Sequence, residues 1–198
     1  DLVDYPNIQY HFFPSLVLDH GRKTPAGHSF QAHVGPMRPT SRGEIKLKSN
    51  KPNDAPSIQF NYMQTEHDLN EMRDGIEIAR EIFNQRAFDE YRGKELSPGI
   101  QEKSKESINE FIRNKGDTAY HPSCTCKMGN DESSVVNEEL KVYGIDKLRV
   151  VDASIMPNII TGNLNAATVM IAEKASDLIL KRSPLELEEH NFYRANYN

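Results

Sequence analysis

Residues 120–129, YHPSCTCKMG, hold the side chains of this sequence that are best suited to chemistry. His121 lies three residues before Cys124, and Cys126 follows two residues later. Thiolates and imidazoles bind metals, thiolates act as nucleophiles, and imidazole exchanges protons near neutral pH. The stretch therefore admits three kinds of site: a metal centre, a cysteine nucleophile and a histidine general base.

The first two kinds of site find little support in the spacing. Zinc is usually held by four ligands that come as separated pairs, whereas this sequence offers one crowded trio and no second cysteine pair. A cysteine nucleophile is paired with its base through the fold, which a short sequence separation does not establish. We therefore predict no metal site and interpret Cys124 and Cys126 as small packing residues.

A histidine general base remains open. Imidazole suits proton abstraction, and Pro122 stiffens the backbone beside His121. A single histidine is often structural, so the residues alone leave both interpretations standing.

A second candidate region follows in residues 148–165. An apolar strand is predicted at Leu148–Val151, it ends in Asp152, and a loop closed by Gly162 leads to Asn163 and a helix. Helix N-termini carry positive partial charge and free N–H groups, which favour an anionic ligand. Asn163 could serve such a ligand site, or it could simply cap the helix. Pattern alone favours neither interpretation.

Strand-like stretches occupy the first sixty residues and predict an antiparallel sheet. Turn clusters separate them, and in the third stretch the alternation of residues points Ile45 and Leu47 inward. The predicted strands are 8–18, 28–34, 44–49 and 57–62.

The hydrophobic period then becomes helical. Thr65, with Asp68 three residues later, resembles a helix cap, and Ser104 predicts a second one. A third helix is predicted over Asn165–Lys181. The predicted inward residues are Leu69, Met72, Ile76, Ala79, Ile82 and Phe83 in the first helix; Ile108, Phe111 and Ile112 in the second; and Ala166, Val169, Met170, Ala172, Ala175, Leu178 and Ile179 in the third.

Composition limits the class of protein. The 198 residues are 37% hydrophobic and 27% charged, and the net charge of -5 gives no basic surface for nucleic acid. No apolar run is long enough for a transmembrane helix, and no targeting segment is visible. Two cysteines separated by one residue do not suggest a disulfide framework, so we expect a reducing compartment such as the cytoplasm.

In combination, these stretches resemble the C-terminal half of the glucose–methanol–choline oxidoreductases, and in particular their choline-oxidising branch. The resemblance rests on residues 120–129 and 148–179, on HVGPMRPTSRGEIKLKS (33–49) and on REIFNQRAFDEYRGKELSPG (80–99). Many members of this family have glycine where Cys124 stands, and the CTC form is similar to the choline-oxidising branch.

The resemblance implies an FAD-dependent enzyme whose flavin is bound mainly by an N-terminal half with a G-x-G-x-x-G loop. This sequence has no such loop, and it does not begin with Met. We therefore expect a C-terminal portion that is inactive by itself. The expected fold is α+β: a mostly antiparallel sheet flanked by helices, plus a strand-helix segment that returns to the flavin domain. The expected parts are a substrate-binding domain (1–118), a catalytic and flavin-returning segment (119–182) and a polar tail (183–198).

Residue by residue, the resemblance implies that His121 is the catalytic base and Asn163 its partner on the alcohol oxygen. It assigns FAD contacts to Asp152, Ala153, Asn165 and Thr168. The implied reaction is the oxidation of choline, a small-molecule alcohol, to betaine aldehyde for glycine betaine synthesis. The electron acceptor stays open, and association with a membrane would come through an electron-transfer chain.

Two alternatives remain at this stage. One is another alcohol oxidase or dehydrogenase of the same superfamily, which competing alcohols would distinguish. The other is a catalytically silent module, which would have no need to keep His121 and Asn163.

Overall fold

A computed structural model describes residues 5–18, 21–23, 27–183, 185–186 and 188. Two small antiparallel sheets and three α-helices in these ranges give an α+β fold, as predicted. The strands are β1 (Ile8–Phe13), β2 (Gln31–Pro36), β3 (Glu44–Lys46) and β4 (Ser57–Gln59), and the helices are α1 (Glu66–Phe83), α2 (Lys105–Lys115) and α3 (Asn165–Leu180). Most of the predicted tail lies outside the described residues.

The first hydrophobic cluster joins α1, α2 and the β1–β2 hairpin. Leu69 and Ile76 of α1 pack with Ile108 and Ile112 of α2, and Val34 of β2 lies against them. All four helix residues were predicted to face inward. The cluster follows from the amphipathic pattern of the two helices, each of which buries one apolar stripe.

Helix α1 approaches the hairpin closely at Gly75. A Cβ atom at this position would lie 2.6 Å from Cγ2 of Val34. The Tyr10 hydroxyl of β1 donates a 2.6 Å hydrogen bond to the Gly75 carbonyl, and burial raises the pKa of Tyr10. The missing side chain at Gly75 therefore sets the distance between helix and sheet.

The start of α1 is held by a buried carboxylate. Asp68 has no exposed surface, and its oxygens accept hydrogen bonds from the backbone N–H groups of Thr40 and Ser41 at 2.7 and 2.9 Å. Thr65 caps the helix by accepting from the Asp68 N–H group, as predicted. The Asp68 carboxylate thus joins the segment after β2 to the first turn of α1.

A second hydrophobic cluster lies in the last third of the chain. Its buried residues are Val136, Leu140, Ile155, Met156, Leu164, Ile171 and Ala175. Cys124 and Met128 pack against it. The two clusters are distinct in space, and the predicted domain boundary at residue 118 stays a prediction.

Several expectations about the strands are wrong. The expected single sheet is two separate hairpins, and all four strands are shorter than the apolar stretches that suggested them. Ile45 and Leu47 were expected inside, but they are 52% and 85% exposed. The reason is that no layer of the described residues covers this face of the short β3–β4 hairpin.

The predicted strand at 148–151 is also not formed. Its sole described pairing is an isolated antiparallel bridge between Lys141 and Arg149. Strands need a ladder of partners to persist, and here a loop-rich segment lies alongside instead.

Helix α3 was predicted correctly in position but incorrectly in its buried face. Ile171, which was not among the predicted inward residues, is buried together with Ala175, whereas Val169, Met170 and Ile179 are more than half exposed. Apolar residues surround this helix on most sides, so hydrophobic periodicity could not select the inward face. Among the described residues, no helix combines the length and apolar content needed to cross a bilayer.

We expect the carboxylate of Asp68 to stabilise the fold in a pH-dependent way. Burial alone would raise its pKa, but hydrogen bonds from Ser41 and Thr40 outweigh burial and lower the pKa from 3.8 to about 2. A lower pKa in the folded state contributes stability above the unfolded value, here roughly 2 kcal/mol, which is lost as pH falls from about 4 through about 2.

The change Asp68→Asn should therefore lower the free energy of unfolding by about 2 kcal/mol at pH 7, with the deficit shrinking below pH ~4. Denaturant unfolding across this pH range measures it. Asp74→Asn, an exposed position on the same helix, is the control. Equal effects of the two changes would contradict the role of Asp68.

Gly75→Ala should destabilise the protein by about 1–3 kcal/mol, although alanine favours helices, because the new methyl group would overlap Val34. Adding Val34→Ala should remove the overlap, so the double variant should be more stable than the two single losses predict. A double-mutant cycle of unfolding free energies measures this coupling. Gly35→Ala is the control, since a Cβ there meets no atom within 4 Å; additive effects at positions 34 and 75 would refute the close approach.

Candidate active site

The segment 120–129, here called the histidine segment, is fixed by backbone hydrogen bonds to a short 3₁₀ turn at Ala153–Ile155. The N–H groups of Cys124, Cys126 and Met128 donate to the carbonyls of Ala153, Ser154 and Ile155 at 3.3, 2.9 and 2.7 Å. Ile155 and the following Met156 are buried in the second cluster. The histidine segment is therefore attached, through every second residue, to a turn anchored in the core.

Two residues of the histidine segment adopt unusual backbone angles. Tyr120 and Cys124 have φ values of +60° and +72°, in the left-handed region that favours glycine. Pro122, between them, restricts the backbone of His121 to extended conformations. Glycine would adopt the backbone angle of Cys124 without strain.

The histidine segment, the 3₁₀ turn and the start of α3 line a cavity of about 290 Å³ that is widely open to solvent. His121 is half-buried and lines this cavity with Ala153, Asn165 and Thr168. Four of the six predicted site residues, which come from three stretches of the chain, therefore meet at one place. The other described residues that line the cavity are Tyr120, Pro122 and Leu164.

Helix α3 begins at this cavity without a side-chain cap. Its N-cap residue is Leu164, which makes no side-chain capping hydrogen bond and is buried in the second cluster. The Thr168 hydroxyl donates to the Leu164 carbonyl at 2.9 Å. The first-turn N–H groups thus lack a capping side chain, and their positive partial charge favours an anionic group in the cavity.

Asn163 and Asp152 lie beside the cavity residues in the chain, but they are not among the described residues that line it. Asn163 is exposed and does not cap α3, because the cap position belongs to Leu164. The Asp152 carboxylate accepts a 2.7 Å hydrogen bond from the Ser154 N–H group, so it caps the 3₁₀ turn. The assigned roles of these residues stay predictions.

Neither cysteine belongs to a group of possible metal ligands among the described residues. Both thiols are free and partly buried, and Cys124 packs against the second hydrophobic cluster. Among the described residues, no three His, Cys, Asp or Glu side chains are grouped so that they could hold a metal ion.

Sequence reasoning missed two arginines that reach the loop before α3. Nε of Arg38 donates to the Thr161 hydroxyl at 2.6 Å, and Nη2 of Arg42 donates to Oδ1 of Asn158 at 3.0 Å. Both arginines belong to the motif HVGPMRPTSRG, which contributes to the family resemblance but predicts no role for either side chain. Leu164 was also missed, since an apolar residue in a loop gives no signal of a cavity wall.

Comparison with known proteins identifies the class. Residues 39–172 match the model of the family described as GMC oxidoreductase. Because this match covers more than half of the sequence, the chain belongs to the GMC oxidoreductase family, whose members are FAD-binding flavoproteins.

Among curated relatives, the chain is similar to oxygen-dependent choline dehydrogenases. It is 55% identical to the protein of Pseudomonas fluorescens over 97% of this chain and 34% of the relative. It is 53% identical to that of Pectobacterium carotovorum over 98% of this chain and 34% of the relative. The chain therefore spans about a third of the length of the curated relatives it matches.

Solved structures support the same family. Pyridoxine 4-oxidase from Mesorbium loti superposes with a TM-score of 0.82 at 32% identity, over 90% of this chain and 35% of that one. Formate oxidase from Aspergillus oryzae RIB40 also gives a TM-score of 0.82, at 27% identity, over 89% of this chain and 32% of that one.

The chemistry of the lining residues fits a cofactor site. Its walls combine apolar Pro122, Ala153 and Leu164 with the polar side chains of Asn165 and Thr168, a mixture typical of cofactor sites. The uncapped start of α3 adds N–H groups that favour negative charge.

The packing role of the cysteines can be tested in the complete enzyme. Cys124→Gly should keep its fold and its flavin, since glycine adopts positive φ without steric cost, whereas Cys124→Val should lose about 2 kcal/mol of stability. Cys126→Ala should keep turnover within about threefold, because no step requires its thiol. Unfolding and steady-state kinetics measure these effects. An inactive but folded Cys126→Ala protein would instead indicate that the Cys126 thiol takes part in the reaction.

Proposed function

We propose that this chain is the C-terminal third of an FAD-dependent choline dehydrogenase, which oxidises choline to betaine aldehyde with His121 as the general base. The observation that carries the proposal is the cavity that unites His121 with Ala153, Asn165 and Thr168. The choline assignment is supported by the 53–55% identity to proteins named for that activity.

His121 would accept the proton of the substrate hydroxyl. A neutral imidazole has one unprotonated ring nitrogen that can accept a proton, which is the property that a general base needs. The hydrogen bonds that attach the histidine segment to the 3₁₀ turn fix the backbone from Cys124 onward, three residues after this imidazole. A fixed base loses little entropy when the substrate arrives, which favours a fast proton transfer.

Asn163 would donate a hydrogen bond from its amide to the alcohol oxygen. Such a donor stabilises the negative charge that develops on oxygen as the proton leaves. Asn163 directly precedes Leu164 at the cavity wall, and Arg38 and Arg42 bind the loop that leads to it. The amide is therefore carried by a loop with two side-chain anchors.

Ala153, Asn165 and Thr168 would hold the flavin, together with the start of α3 and the backbone of Asp152. When bound, FAD supplies the acceptor for the hydride that leaves the alcohol carbon. The part of α3 that meets the cavity would place its N–H groups where negative charge is favoured. The rest of the cofactor site would lie in the longer protein, so this chain alone would not turn over substrate.

The substrate choice has a rival within the same family. The solved relatives include oxidases named for pyridoxine and formate, so the fold by itself does not select choline. Competition between choline and simple aliphatic alcohols in the complete enzyme distinguishes the two. A much higher kcat/KM for an aliphatic alcohol would overturn the choline assignment.

We expect His121→Ala to lower kcat of the complete enzyme by about 10²–10⁴-fold, the usual contribution of a general base, with flavin still bound. Asn163→Ala should lower kcat by about 10²-fold through the loss of one hydrogen bond to the alcohol oxygen. His67→Ala, an exposed histidine on α1, is the matched control.

Steady-state kinetics and the visible flavin spectrum test these expectations together. Near-normal turnover of a flavin-bound His121→Ala enzyme would exclude the base assignment. A wild-type complete enzyme that binds flavin but oxidises no alcohol would instead favour a silent module.

A further inference from the structure

The Asp152 carboxylate accepts a hydrogen bond within its own turn. Its Oδ1 atom accepts from the Ser154 N–H group at 2.7 Å, which places Asp152 as the cap of the 3₁₀ turn Ala153–Ile155. A carboxylate in this role supplies an acceptor that the first N–H groups of the turn lack.

The capped turn also binds the histidine segment, because its three backbone carbonyls accept hydrogen bonds from it. Ala153, Ser154 and Ile155 accept from Cys124, Cys126 and Met128. The orientation of these carbonyls depends on the turn keeping its shape, because each belongs to one of the three residues that follow the cap. The position of the histidine segment therefore depends on the shape of the turn, through three hydrogen bonds made by alternate residues.

The same turn also reaches the cavity. Ala153 and His121 are both lining residues, and His121 lies three residues before the first anchored N–H group, at Cys124. The intervening Pro122 limits the backbone of His121. A change in the turn would therefore shift the imidazole rather than be absorbed by a flexible linker.

We infer that Asp152 is a positioning residue for His121: its capping hydrogen bond holds the turn whose carbonyls fix the histidine segment. This inference rests on the proposed function for its kinetic consequence, and it assigns the Asp152 side chain to the turn rather than to direct flavin contact. The acceptor oxygen matters in this role, and the negative charge does not.

Two substitutions separate the acceptor from the charge. Asp152→Asn keeps a capping oxygen and removes the charge, whereas Asp152→Glu keeps the charge on a side chain that caps poorly. Asp152→Ala removes both, and Asp146→Asn, at an exposed position, serves as the control. If the alanine variant does not fold, the Asn and Glu pair still decides.

The direct measurement is amide hydrogen exchange of the complete enzyme over residues 119–129. Loss of the cap should raise exchange there by about tenfold in the Ala and Glu variants, and leave the Asn variant and the control as in the wild type. Unchanged exchange in the Ala and Glu variants would overturn the positioning role.

Kinetics and flavin content supply the second measurement. Displacement of His121 should lower kcat by about 10- to 100-fold in the Ala and Glu variants, with KM changed less than threefold and flavin content unaltered. Loss of flavin from the Asn variant but not from the Glu variant would show that the charge contacts the cofactor and would overturn the inference. If the wild-type enzyme oxidises no alcohol, the proposed function fails, and the exchange result still decides the role of Asp152.

Discussion

The arrangement of the candidate site depends on three backbone hydrogen bonds between the histidine segment and the 3₁₀ turn. They join residues 124–128, which follow His121, to residues 153–155, the first of which lines the cavity. Backbone groups make these bonds, so the attachment depends on backbone geometry and on the buried anchor of Ile155 and Met156. The left-handed angle at Cys124 is part of that geometry, since it occurs at the first residue of the attachment.

The first hydrophobic cluster serves the site indirectly. The carboxylate of Asp68 holds Thr40 and Ser41 against the start of α1, and Arg38 and Arg42 flank these residues. The two arginines then reach across to the loop before α3. Residues 38–42 therefore connect the start of α1 to the loop that leads to Asn163.

The sequence predicted the elements whose determinants are local. The caps at Thr65 and Ser104 need one side chain and one nearby N–H group, and both formed as expected. The exposure of Ile45 and Leu47 and the buried face of α3 depend on what packs against them, which no local pattern contains. The same distinction applies to the residues of the candidate site. Motif resemblance indicated the four predicted residues that line the cavity: His121, Ala153, Asn165 and Thr168. Leu164 and the two arginines were identified only from the three-dimensional structure.

The hydrogen bonds made by Arg38 and Arg42 have a consequence for how the protein responds to salt. Their acceptors across the molecule are the hydroxyl of Thr161 and the amide oxygen of Asn158, both neutral. Salt weakens attraction between exposed opposite charges within the Debye length, about 8 Å at physiological ionic strength. A guanidinium bound to a neutral dipole loses much less of its interaction in this way. The loop before α3 should therefore keep its position as ionic strength rises.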